Sequence, residues 1–263
     1  MRAEETDAGD EYPYVLVMRH GGESLHRVIA SQRVAGLDVF KVQTYCRDLV
    51  DKVRALHRCG LVHCDLKPRN VLCSDADELV LCDLDAASPV GEVLPRYLKT
   101  STAYFSPEAA RRAVSIARDA VTDGGLTAQP SLDVWSIGVI AFELCTGRNL
   151  FAQDISNDDT VNPRDARRLC LWNGISDAEL DLVLPRAGAA DQECARHLIR
   201  WCLGGDPKER PTMDDLASHP FVRGVAPPAT DRGAAAPLVV VPAALRMRYH
   251  VFISVRRAQL SGP

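Results

Sequence analysis

The stretch Asp133 to Thr146 (DVWSIGVIAFELCT) constrains the fold more than any other part of the chain. It is apolar nearly all round, at a length suited to a helix. Such a helix buries its whole circumference, so it belongs in the middle of a domain and not on its surface. The remaining chain must then be large and apolar enough to enclose it. With 263 residues, 46% of them hydrophobic and 25% charged, it is. The formal net charge of -4 argues against nucleic acid or an anionic membrane as the main partner.

Nine cysteines are scattered, form no C-x-x-C pair and are odd in number. That speaks against a zinc site and against a disulfide framework. They read as small buried hydrophobes in a reducing compartment. Residues 1–11 are acidic and polar, with no basic region leading into an apolar core, which is unlike a signal peptide. The run Pro237 to Leu245 is too short to span a bilayer. These features predict an intracellular, cytoplasmic chain that engages neither membrane nor nucleic acid.

Local patterns add elements around the central helix. Tyr12 to Met18 (YPYVLVM) reads as a strand, and Arg19 to Ser24 as a turn-rich connector. Phe40 to Arg58 carries Val42, Tyr45, Cys46, Leu49, Val53 and Leu56 at helical spacing, with Gly60 placed to cap its end. Short apolar runs at 61–63, 71–73 and 79–82 read as small strands. Gln192 to Leu203 reads as a second helix. Residues 223–244 are rich in Ala and Pro and read as a linker.

The residues between the small strands carry the chemistry. His63-Cys64-Asp65-Leu66-Lys67-Pro68-Arg69-Asn70 is followed, 18 residues after Asp65, by Asp83-Leu84-Asp85. Then come Ser106-Pro107-Glu108, Asp133-x-Trp135 and Arg210-Pro211. In this order the five segments resemble the signature set of the eukaryotic-type protein kinases. The resemblance covers residues 12–222. It implies an α+β, protein-kinase-like fold, with a mainly helical C-terminal lobe and short β hairpins.

It also implies roles. Phosphoryl transfer depends on positioning and charge neutralisation. Asp65 matches the carboxylate that orients a substrate hydroxyl and takes its proton. Lys67 matches the cation near the transferring phosphate and points to a Ser/Thr enzyme. Asn70 and Asp83 match the oxygen ligands of Mg²⁺, a hard cation. The connector around Met18 would meet the adenine of ATP, and a protein substrate would rest on Ser101 to Tyr104. Glu108 and Arg210 are expected to pair, Asp133 to accept main-chain N–H groups of the loop, and His63 to brace it structurally.

The sequence also departs from that pattern. It contains no G-x-G-x-x-G. In the family, the Gly-rich loop, the strand Lys and its Glu partner all precede the strand matched by Tyr12 to Met18. The N-terminal lobe is therefore expected to be missing from this chain. Cys64 stands where the commonest kinases carry the Arg that receives an activation-loop phosphate. Asp85 replaces a Gly. Ala109 to Ser131 is about twice the usual length and reads as a surface loop. Arg246 to Arg257 (RMRYHVFISVRR) resembles the opening strand of a TIR domain, which would add signalling partners through residues 245–263.

A Ser/Thr kinase is the reading favoured by the intact Asp65, Lys67, Asn70 and Asp83. A catalytically inactive docking module is the alternative suggested by the absent Gly-rich loop. A small-molecule phosphotransferase would share H-x-D-x-x-x-x-N. It has no use for Lys67-Pro68 or for Ser106-Pro107-Glu108.

Overall fold

The computed structural model describes residues 2–5, 14–17, 21–31, 34–74, 76–96, 101–117, 125–154 and 162–224. Among these, the chain runs through β1 (Arg2–Glu5), β2 (Tyr14–Val17), β3 (Glu23–Ser24), α1 (Leu25–Ser31) and α2 (Val39–Arg58). Next come β4 (Leu61–Val62), β5 (Val71–Cys73), β6 (Leu79–Leu81), β7 (Ser88–Pro89) and α3 (Pro107–Ala117). The series ends with α4 (Pro130–Thr146), α5 (Pro163–Cys170), α6 (Asp177–Leu180), α7 (Ala189–Cys202), α8 (Met213–Ser218) and α9 (Pro220–Arg223). Helix dominates, and the strands form three small antiparallel groups: β1–β2, β3–β5–β6 and β4–β7. The expected α+β class is the one observed.

α4 is the expected central helix. Every residue from Leu132 to Cys145 is buried, and Gly147 ends the helix in a left-handed conformation (φ 68°). Its Trp135 meets Trp172 edge to face at 5.1 Å, and the Trp172 indole N–H donates to the carbonyl of Leu203 at 2.8 Å. α4 lies directly on α7. A Cβ added at Gly138 would sit 2.7 Å from Cys202 Cβ and 2.9 Å from Leu203 Cδ2. Gly138→Ala is therefore expected to destabilise the chain by about 1–3 kcal/mol through overpacking, read as a lowered urea midpoint.

α2 buries Val42, Tyr45, Cys46, Leu49 and Val53, five of the six residues in the sequence stripe. Its cap is Cys59, and Gly60 follows at φ 75° with its N–H on His57 O at 2.8 Å. Packed on α2, α9 is four residues long and held by its cap. His219 Nδ1 accepts the N–H of Phe221 at 3.2 Å, which leaves Nε2 to donate to His197 Nδ1 at 2.9 Å. Burial, and then the neighbouring His197, push the His219 pKa down to about 4.

An unfolded chain takes up that proton near pH 6.5, but the folded chain resists it until about pH 4. The stabilisation is whole above pH 6.5 and fades as the pH falls toward 4. A loss of about 1–2 kcal/mol is expected after solvent screening. His219→Asn keeps a capping acceptor and should flatten that pH dependence in denaturant melts.

Several elements lie where the sequence reading had none. β1 pairs with β2 in the register Arg2 to Val17. Ala109 to Ser131 is also corrected: it is not a loop throughout. Its first part completes α3. Its end, residues 126–128, pairs in antiparallel fashion with residues 91–94, which precede Ser101 to Tyr104. By contacts the chain divides after Val225. Met18, the linker from residue 225 onward and the TIR-like tail lie outside the described residues.

Candidate active site

The loop His63–Asn70 leaves β4 and enters β5 through a single helical turn at Pro68–Asn70. It hangs from one carboxylate near the start of α4. Asp133 Oδ2 accepts the His63 N–H at 2.8 Å and Oδ1 the Cys64 N–H at 3.0 Å. His57, from the end of α2, places Nε2 2.8 Å from the same Oδ2. These contacts hold Cys64 at φ 63°, a left-handed conformation unusual for a residue with a side chain. The Cys64 thiol is pushed up to about 12, first by burial and then by Asp133, so it stays neutral. His63 is wholly buried, and its Nδ1 faces the Asp65 N–H at 3.4 Å. That is the bracing position expected of it.

Asp65 is buried in a ring of donors. Asn70 Nδ2 donates to Asp65 O at 2.8 Å and to its Oδ2 at 3.0 Å. The N–H of Ser101 donates to Oδ1 at 3.1 Å, and Lys67 Nζ lies 3.3 Å from Oδ2. Lys67 Nζ also donates to Ser101 Oγ at 2.6 Å. Burial raises the Asp65 carboxyl above the usual carboxylate range, while Lys67 and the hydrogen bonds oppose that rise. Ser101, Asp65 and the cation Lys67 thus form one connected group. The Ser101 hydroxyl makes this connection to Lys67.

Asp83 lies beside this group through the β5–β6 ladder. Val71 pairs with Leu81, and the Cys82 N–H donates to Asn70 O at 3.0 Å, which brings the start of Asp83-Leu84-Asp85 next to Asn70. Asp83 is exposed and adopts φ 58°. Asn70 spends its amide N–H groups on Asp65, which leaves its Oδ1 as an acceptor. The Asp83 carboxylate carries no described hydrogen bond or ion pair. An amide oxygen and a carboxylate suit a hard cation such as Mg²⁺, which keeps several waters and substrate oxygens instead of demanding a full protein cage. Among the described residues there is no group of three or more His, Cys, Asp or Glu that could hold a metal.

A second charged pair fixes the floor. Arg210 meets Glu108 with two parallel bonds of 2.8 Å, and also donates to the carbonyls of Ser131 and Gly204. The Arg210 side chain is 0% exposed. Both the Glu108–Arg210 pair and the Asp133 anchor lie where the sequence reading expected them. The sequence reading named none of the bonds within the Asp65–Lys67–Ser101–Asn70 group, and two of the missed contacts reach furthest: His57 on Asp133, and the main-chain N–H of Ser101 on Asp65. Both join residues far apart in sequence, and neither residue type signals its partner.

This architecture, a suspended H-x-D-x-K-x-x-N loop braced by a buried helix and a Glu–Arg pair, is that of a protein-kinase-like fold. The family model for the protein kinase domain matches residues 5–222, and the chain belongs to that family. Among curated proteins it is similar to a probable serine/threonine-protein kinase CCRP1 of Zea mays, 27% identical over 216 residues, covering 81% of this chain and 30% of that protein. Mitogen-activated protein kinase kinase kinase 17 of Arabidopsis thaliana is 26% identical over 209 residues, 80% of this chain and 50% of that protein. A calcium and calcium/calmodulin-dependent serine/threonine-protein kinase of Oryza sativa subsp. japonica is 31% identical over 215 residues, 80% of this chain and 36% of that protein. The chain thus spans half or less of the length of these relatives. No helix among the described residues is long and apolar enough to cross a membrane.

Proposed function

We propose that this chain carries a serine/threonine kinase centre, which transfers the γ-phosphate of ATP to a Ser or Thr hydroxyl of a protein substrate. The observation that carries the reading is the bonded group Asp65–Lys67–Ser101–Asn70. In this reading the substrate hydroxyl lies against Asp65, whose carboxylate orients it and takes its proton. The oxygen forms a bond to the γ-phosphorus as the bond to the β-phosphate bridging oxygen breaks, and ADP leaves. Lys67 faces the phosphoryl oxygens, where a fixed cation in a partly dry site favours the transition state over the ground state.

Asn70 and Asp83 would hold Mg²⁺, whose role when bound is to neutralise charge on the phosphate oxygens. Ser101 ties the shelf to both Asp65 and Lys67, so an ordered substrate segment and an ordered catalytic loop come together. All nine cysteines are free thiols, which fits work in a reducing, cytoplasmic setting.

A phosphotransfer assay with labelled ATP and a panel of Ser- and Thr-containing peptides tests the reading. Label on Ser or Thr, lowered at least tenfold by Lys67→Ala, is the expected result. Absence of label with a folded chain and every peptide argues against it. The docking-module alternative rests on the sequence, which contains no G-x-G-x-x-G. Under it, the same chain would bind partner proteins through its shelf without transferring label.

A further inference from the structure

The Arg that would receive an activating phosphate is replaced by Cys64, and the structure has something else in its place. The segment between Asp83 and the shelf is first fastened to the catalytic loop by β7 on β4, where Leu61 pairs with Pro89 and Val62 with Ser88. Immediately after, three main-chain bonds join it to the end of the long insertion. The N–H of Gly91 donates to Ala128 O at 2.8 Å, that of Ala128 to Glu92 O at 2.8 Å, and that of Leu94 to Leu126 O at 2.8 Å.

The side chains close over the same place. Val62, Leu94, Ala128 and Leu132 form a buried apolar cluster of their own, with Cys64 and Leu126 packed against it. A neutral thiol is at home there, whereas a guanidinium would lose its water without gaining an anion. The cluster borders the shelf. A cavity of about 30 Å³ is walled by Cys64, Leu94 and Leu126 together with Tyr104 and Phe105.

We infer that Leu126–Ala128 is a built-in lock, which holds the activation segment and the shelf behind it in place without phosphorylation. The inference rests on the kinase reading for its purpose, but the lock itself is a statement about backbone order. It accounts for the extra length between Glu108 and Asp133. α3 carries the chain away from the shelf, and the returning strand reaches back to clamp the segment that leads into it. In place of a phosphate held by an Arg, this chain has an apolar seam and a short antiparallel pairing.

Amide hydrogen exchange on the phosphatase-treated chain tests this without ATP or substrate. The donors of the bridge, the amides of Gly91, Leu94 and Ala128, should exchange at least tenfold more slowly than free amides. Leu126→Ser should release them by about tenfold or more while α4 keeps its protection. Free exchange of these amides in the unphosphorylated wild type overturns the lock, as does unchanged protection in Leu126→Ser.

Should Leu126→Ser loosen α4 as well, Leu126→Ala replaces it. Release confined to residues 88–94 and 126–128 then supports the lock, and uniform release overturns it. A chain that keeps these amides protected yet transfers no phosphate contradicts the kinase reading and leaves the lock standing.

Discussion

Asp65→Asn is expected to lower phosphotransfer by about 10²–10⁴-fold, the range a positioned base contributes. The carboxylate has a donor on every side: Ser101 N–H on Oδ1, and Asn70 Nδ2 and Lys67 Nζ on Oδ2. An asparagine can satisfy Ser101 with its oxygen. Its amide nitrogen then faces two further donors, and turning the amide over only moves the conflict to Ser101. The substitution should thus also cost about 1–3 kcal/mol of stability. The two effects separate in the measurement. A fall in kcat with the KM for ATP nearly unchanged belongs to the lost base, whereas a parallel change in the two would point to a disturbed site.

Glu108→Ala is the substitution with the largest expected effect on stability. It leaves Arg210 fully buried with two of its donors unmatched, a situation that costs about 3–5 kcal/mol. For a chain of this size that corresponds to a Tm lower by about 6–20 °C. Arg210 stays tied to the carbonyls of Ser131 and Gly204, so it has little freedom to swing out to water. Glu108→Gln keeps the shape and one acceptor oxygen and should cost less. Arg210 replaced together with Glu108 should cost less than the two single losses added, because the second removal takes away the stranded partner. Calorimetric melts of the wild type, the two single losses and the double, with Glu108→Gln beside them, give the comparison.

The parts that are legible in the sequence share a physical trait: their signal is local. α4 is apolar on all sides, α2 repeats its apolar residues at helical spacing, and the Asp65–Asn70 interval is set by one short loop. What the sequence hides depends on contacts made across the fold. The two bonds that His57 and Ser101 supply to the site span 76 and 36 residues. The start of α3 holds Ala109 and Ala110 against the core, small side chains that give little periodic contrast beside Arg111 and Arg112.

The return strand Leu126–Ala128 is too short to show alternation and gains its meaning only from the segment it meets. For α6 and α8 a local signal does exist, in their caps. Ser176 with Glu179, and Thr212 with Asp215, are reciprocal capping pairs that start helices too short to announce themselves by apolar spacing.

In the proposed reading, Asn70 and Asp83 together hold the metal of a Mg²⁺-assisted nucleotide site. Isothermal calorimetry of ATP binding to this chain, with and without Mg²⁺, beside Asp83→Ala, tests it most directly. Binding that requires Mg²⁺ and is weakened at least tenfold by Asp83→Ala is the result predicted. Binding that ignores both the metal and the substitution, or no binding by a well-folded sample, would contradict it.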